Sequence, residues 1–296
     1  MKKIFYLIPI IFLLTGCNSY IELNNLGVIN KIGIEHLDNY KLYASIINEV
    51  SDNLNLKEKI IIVEGKTIEE LINNLSLTLN KKIYMSHLDL LILNNSIKTY
   101  EIKELTNYFL NNNDTREDFL VVTTDNIENI INKTSFQEIN NLVNINQNET
   151  SISIYTTMFD VIKNYTLNKP IYISNLKYNN QIELDGITKI YNNKITHIDN
   201  QDSIFINYLL NNIETYKINL ECDNHEYLYL NILSSNTNII NNRILITIVI
   251  KVINDNCNLD KNNINKLLNN YLKDNLKKYT NKEINIKNTI RSYYDK

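Results

Sequence analysis

Short apolar runs rich in β-branched residues occupy Leu26–Glu35, Tyr40–Glu49 and Lys59–Glu64, a strand signature. The break at Leu37–Asn39 predicts a hairpin between the first two. The period then changes. Thr67 and Glu70 have capping-box spacing, in which the threonine oxygen and the glutamate each satisfy an orphan backbone N–H. Ile68, Leu71, Ile72, Leu75 and Leu79 follow on one helical face. Leu88–Leu93 predicts a strand, Tyr100–Leu110 a helix burying Ile102, Leu105 and Phe109, and Phe119–Thr123 another strand. Asp125 and Glu128 predict the start of a short helix by the same capping logic. Tyr155–Tyr165 reads as a helix with Met158, Val161 and Ile162 inward.

Pro170 closes that helix, and Ile171–Tyr178 is extended. Glu183–Tyr191 and Lys194–Ile198 flank Asn192-Asn193, the pattern of a two-residue hairpin turn. Asp202 is placed to cap a helix over Ser203–Leu210. Strands follow at Thr215–Glu221, Glu226–Leu233 and Ile244–Ile253. An amphipathic helix over about Asp260–Tyr279 carries Ile264, Leu267, Leu268, Tyr271, Leu272 and Leu276 on one face. These elements predict an α+β fold: successive domains of mostly antiparallel sheets with packed helices. At 296 residues the chain has room for two or three domains.

The N-terminus carries a different signal. Lys2 and Lys3 precede an apolar run of 11 residues, Ile4–Leu14, and Leu14-Thr15-Gly16-Cys17 follows. The run is too short to cross a bilayer core, which takes about 20 residues, and has the length of a signal-peptide core. Small residues immediately before a cysteine mark a bacterial lipobox. The pattern predicts a cleaved signal peptide over 1–16 and lipidation of Cys17, with a water-soluble remainder held on the outer face of the cell membrane. One acyl chain anchors only marginally, so two or three are expected on Cys17.

Composition excludes several function classes. Five glycines and two prolines rule out collagen, flexible linkers and proline-rich modules. The glycines are scattered, without the clustering of a phosphate-binding loop. A formal net charge of −3 with no basic block gives no footprint for nucleic acid. With Cys17 lipidated, Cys222 and Cys257 remain; a disulfide is open to them outside the cell, and free thiols are the favoured expectation. Cys222 and His225 have a C-x-x-H spacing, but a structural zinc site wants four such ligands. Neither a metal nor a cofactor is expected. His36, His87, His197 and His225 are widely separated, and no hydrolase or metalloprotease motif surrounds them. No catalytic residue is assigned. His87, in Tyr84-Met85-Ser86-His87-Leu88, lies between a helix and a strand and is the histidine best placed to meet a ligand, although a hydrogen-bonded structural role is the more ordinary one.

The order of segments resembles the Ger(x)C family, the GerAC-like lipoproteins of spore germination receptors. After the lipobox, Glu22-Leu23-Asn24-Asn25-Leu26 is similar to the family's E-[IL]-N-D-L, and Gly33-Ile34-Glu35 to its G-I-D turn. Glu64-Gly65-Lys66-Thr67 leads into Asn74-Leu75-Ser76, and Lys82-Ile83-Tyr84-Met85-Ser86-His87-Leu88 resembles R-x-[LI]-Y-x-x-H-[LI]. Phe159-Asp160 through Leu176 and the Gly186–Lys194 hairpin look like the start of the family's C-terminal region. Asn18 stands where a Trp is common, and the end of the chain, Glu283–Tyr294, is short for the family. The resemblance divides the chain into a GerAC-like N-terminal region over 17–184 and a shortened C-terminal region over 185–296. It implies a non-enzymatic, lipid-anchored accessory subunit of a nutrient germinant receptor in the inner spore membrane. Such a subunit works beside two multi-spanning subunits, in assembly or signal transfer, and no small-molecule ligand or nucleic acid is implied for it. Two rivals stand beside this reading. One is a lipid-anchored solute-binding protein of a transporter, which alternating βα units would favour. The other is an envelope enzyme.

Overall fold

A computed structural model describes residues 25–48, 57–112, 114–222 and 225–293. The signal segment, Cys17 and the Glu22–Asn24 part of the first family motif lie outside them.

The first sheet is built from β1 (Leu26–His36), β2 (Tyr40–Asn48), β3 (Lys57–Gly65), β4 (Lys82–Tyr84), β5 (Leu90–Asn94), β6 (Leu120–Thr124), β7 (Ile171–Asn179), β8 (Gln181–Tyr191) and β9 (Lys194–Ile198). Its order is β3-β2-β1-β5-β6-β7-β8-β9, with β4 beside β1. The α+β class holds, with a difference at the centre. The outer hairpins are antiparallel, but β1, β5, β6 and β7 run parallel. Parallel neighbours need a crossover, normally through a helix. Here α1 (Ile68–Leu79) lies between β3 and β4, and α2 (Thr99–Asn111) carries the chain from β5 to β6. Three helices, α3 (Ile127–Lys133), α4 (Phe136–Ile145) and α5 (Met158–Thr166), lie between β6 and β7. Strands so enclosed are buried on both faces and read as unbroken apolar runs, as Leu90–Leu93 and Leu120–Val122 do.

The helices take both faces of this sheet. Leu71 and Leu75 of α1, Ile102 and Leu105 of α2 and Val161 of α5 share a core with Leu91, Leu93 and Val121. Ile130 and Ile131 of α3 and Ile139 and Val143 of α4 pack on the opposite face against Leu90, Ile92 and Val122. Gly33 permits the close approach of α3, because a Cβ there would collide with the Ile127 side chain.

Helix α6 (Asn200–Leu210) leads to the second sheet, β10 (Tyr216–Glu221), β11 (Tyr227–Ile240), β12 (Arg243–Asp255) and β13 (Glu283–Tyr293), in that order. Helix α7 (Lys261–Leu276) is the crossover that makes β13 parallel to β12. Its Ile264, Leu268, Leu272 and Leu276 are fully buried against Ile244, Ile246, Ile248, Ile250 and Val252, while Tyr271 sits at the edge of the stripe, half exposed. Within the short stretch after α7, Glu283–Tyr293 forms an eleven-residue strand, and Tyr294 lies outside the described residues. The junction at 184/185 falls within β8, which is bonded to β7 and β9 in the first sheet.

Three local expectations are corrected. Asn126, one residue after Asp125, caps α3 by accepting from Asn129 N. Asp199 caps α6 by accepting from Asp202 N at 2.8 Å. Asp202 instead accepts from the Tyr279 hydroxyl at 2.5 Å and so ties α6 to the chain leaving α7. Cys222 and Cys257 form a disulfide where free thiols were favoured; the β10–β11 and β12–α7 loops bring the two together at one end of the second core.

Candidate functional site

The chain leaves β5 toward α2 on one face of the first sheet and leaves β6 toward α3 on the other. Loops that part in this way open a crevice at the carboxyl ends of the two strands, the usual place for a ligand in an open sheet with helices on both sides. Asn95 is the first residue after β5, and Asp125 the first after β6. Asn95 Nδ2 donates to Asp125 Oδ1 at 2.9 Å, and the Asn95 backbone N–H donates to Thr124 O at 3.0 Å. Asn95, Asp125, Asn175, Asp185, Thr188, Ile195 and His197 line a crevice of about 370 Å³ there.

Its floor is a buried polar network. Thr123, Asn175 and Thr188 are almost wholly withdrawn from water, one each from β6, β7 and β8. Thr123 Oγ1 lies 2.7 Å from Thr188 Oγ1 and 3.0 Å from Asn175 Oδ1. Asn95 Nδ2 also donates to Asn175 Oδ1 at 2.9 Å, and Thr188 Oγ1 donates to Asn95 Oδ1 at 3.2 Å. Asn175 Nδ2 donates to Asp185 Oδ2 at 3.1 Å. Buried polar groups are costly unless bonded, and a fully bonded network is rigid. The floor is therefore preorganised. Around the rim stand two carboxylates. Asp185 faces Lys177 at 3.5 Å. Asp125 is exposed and forms no ion pair among the described residues. The β8 wall depends on Gly186, whose φ of +80° and contact with the Ile198 carbonyl leave no room for a Cβ. Its N–H donates to Asn200 Oδ1 at 2.7 Å, fixing the wall to the start of α6.

Two other polar centres are occupied by structural work. A larger groove of about 540 Å³ runs between α1 and α2. Its Glu104 accepts from Ile68 N and from the Tyr40 hydroxyl, and its Thr67 accepts from Glu70 N at the start of α1. Burial, reinforced by the Glu104 hydrogen bond, holds the Tyr40 hydroxyl protonated well above the usual tyrosine range. Beside it, Glu101 is fully buried, with Oε1 2.5 Å from His36 Nδ1 and Oε2 accepting from Lys98 N at 2.7 Å. These contacts lock the β1–β2 hairpin to α2.

The residues singled out in the sequence disperse. Cys17 lies outside the described residues. His87 is exposed at the opposite end of β5 from the crevice, with its ring 5.8 Å from that of Tyr84. His225 is exposed, 3.0 Å from Glu221, and both cysteine sulfurs are held in the disulfide, so neither is free to act as a thiolate. Of the four histidines, only His197 reaches the crevice. No group of three or more metal-ligating side chains occurs among the described residues.

Two family models match the first 178 residues. A prokaryotic membrane lipoprotein lipid attachment site matches residues 1–18 and places the chain among lipid-anchored membrane lipoproteins. The family described as "Spore germination protein N-terminal domain" matches residues 19–178, more than half of the chain. The protein is a member of the Ger(x)C family of spore germination proteins. A solved structure, that of the GerBC protein, is similar at 16% identity and a TM-score of 0.49, covering 83% of this chain and 79% of its own. No curated protein matches the sequence.

Proposed function

We propose that this chain is an accessory subunit of a nutrient germinant receptor, tethered by lipid on Cys17 to the outer face of the membrane that becomes the inner membrane of the spore. Its partners are two multi-spanning receptor subunits, and its role is in receptor assembly or signal transfer rather than catalysis. The carrying observation is the succession of a lipid attachment site over 1–18 and a germination-protein domain that begins at residue 19. Tethering confines the protein to a thin layer and raises its effective concentration for a membrane partner without any new contact. A modest protein–protein surface then suffices.

The test is Cys17→Ala at the native locus of the spore-forming host. The variant should leave the membrane fraction, and nutrient-triggered germination should slow, while germination by agents that bypass the receptor is unchanged. A variant that stays membrane-bound with normal germination would overturn the assignment of Cys17. Deletion of the whole gene with unchanged responses to all nutrients, in a host without a paralogue, would overturn the receptor role.

A further inference from the structure

We infer that the crevice at the carboxyl ends of β5 and β6 binds a small hydroxylated amine in its protonated form, through Asp125 and His197. The inference stands apart from the membrane tether. It begins with the topology: the crevice lies at the ends of two adjacent parallel strands whose connections depart to opposite faces of the sheet, beside the Asn95–Asp125 hydrogen bond. Its volume of about 370 Å³ falls within the range of small-molecule sites.

The chemistry of the lining narrows the ligand. Within the floor, both Asn95 Nδ2 hydrogens and the Asn95 carbonyl oxygen are committed, as are both roles of Asn175. The floor positions the rim and has little left to give. Asp185 already has Lys177 and Asn175. Asp125 differs: Oδ1 takes one hydrogen bond from Asn95, and no described group donates to Oδ2. A carboxylate with one oxygen anchored and one open is oriented to receive a donor, and a charged donor is worth more than a neutral one. The exposed His197 ring, across the crevice on β9, supplies a further donor or acceptor for a hydroxyl, and the Ile195 side chain an apolar wall. Lys177 is shared between Asp185 and Glu183, so with Asp125 the crevice is net negative, which disfavours an anion. The carboxylates do not converge with a third ligand as a metal site requires.

The experiment is calorimetric titration of the full lipidated chain in detergent with ethanolamine, methylamine, glycerol and glycolate. Ethanolamine should bind saturably and more tightly than glycerol, and glycolate should not bind. Asp125→Asn keeps the acceptor for Asn95 and sits on the surface, so the fold is retained; it should weaken ethanolamine about tenfold or more. His197→Ala should weaken it less and narrow the gap between ethanolamine and methylamine. No saturable binding of ethanolamine, binding no tighter than glycerol, preference for glycolate, or ethanolamine binding unchanged in Asp125→Asn would overturn the inference. Its failure leaves the germination phenotypes above untouched.

Discussion

The Lys31 ammonium lies 2.6 Å from the Glu58 carboxylate although the lysine side chain is almost completely buried. Lys31 points from β1 toward the end of α3, where Nζ also donates to Thr134 O at 2.9 Å and Ile131 O at 3.3 Å. An ammonium has three donors, and all three are used. Two of them satisfy carbonyls that the end of a helix would otherwise leave open, and the cation meets the negative end of the α3 dipole. Strand, helix and β3 are joined through one side chain.

Lys31→Met removes the charge and keeps most of the volume. It leaves two helix-end carbonyls short of donors and Glu58 without its cation. Breaking one side of a buried pair costs about 3–5 kcal/mol, reduced here because Glu58 is 36% exposed and water can reach it. We expect a loss of about 2–3 kcal/mol in urea unfolding followed by circular dichroism. A midpoint within experimental error of the parent would remove Lys31 from any structural role.

The same pair sets a pH dependence. Burial pushes the Glu58 carboxyl up, but hydrogen bonds from Lys31, Asn30 and Ser45 together outweigh it and hold the group below the usual carboxylate range. A folded-state value lower than the unfolded one means that the unfolded chain binds the proton more readily. The stabilisation is thus fully present above the ordinary carboxylate pKa and is lost as pH falls through the lowered one. Glu58→Gln should flatten the acid limb of the stability curve below about pH 4.5 while lowering stability near neutrality. An acid limb as steep in the variant as in the parent would assign the titration to other carboxylates.

Much of the fold was readable along the chain, because most elements carry their own period and punctuation. Thr67 caps α1 as its spacing foretold, although Glu70 reaches Lys66 N rather than the threonine's own N–H. Asn192 and Asn193 both adopt positive φ, which a two-residue turn of this hand requires. What escaped was short or nonlocal. β4 has three residues and no period to show. Helix α4 did leave a mark, a Ser135–Glu138 capping box followed by buried Ile139 and Val143, within a stretch dominated by asparagine. The parallel order β1-β5-β6-β7 is a property of pairing between distant segments, and local alternation cannot encode it.

The crevice was hidden for the same reason. Asn95, Asp125, Asn175 and Thr188 come from four separate segments and meet only once β5, β6, β7 and β8 are side by side. In a chain so rich in asparagine, Asn95 and Asn175 carry no signal of their own. The available hint was position: Asn95 and Asp125 each follow within three residues of an apolar run, Leu90–Leu93 and Leu120–Val122, where a parallel strand gives way to its crossover.

The Cys222–Cys257 bridge supplies a last expectation. It closes a loop with a sequence separation of 35 that contains all of β11 and β12, so it restrains the unfolded chain around the centre of the second sheet. Closing a loop of that length is worth about 3–4 kcal/mol in the chain-entropy account. Both cysteines are partly buried against the second core, and replacement by serine would lose that packing as well. The paired variant Cys222→Ala with Cys257→Ala should unfold at lower urea than the oxidised parent, and the reduced parent should move in the same direction. Because the loss falls on the second sheet, amides of β11 and β12 should exchange faster, whereas those of β5 and β6 keep their protection. Equal loosening of both sheets would mean that the two cores unfold as one cooperative unit, with the contact between Asp202 and Tyr279 transmitting the change from one to the other.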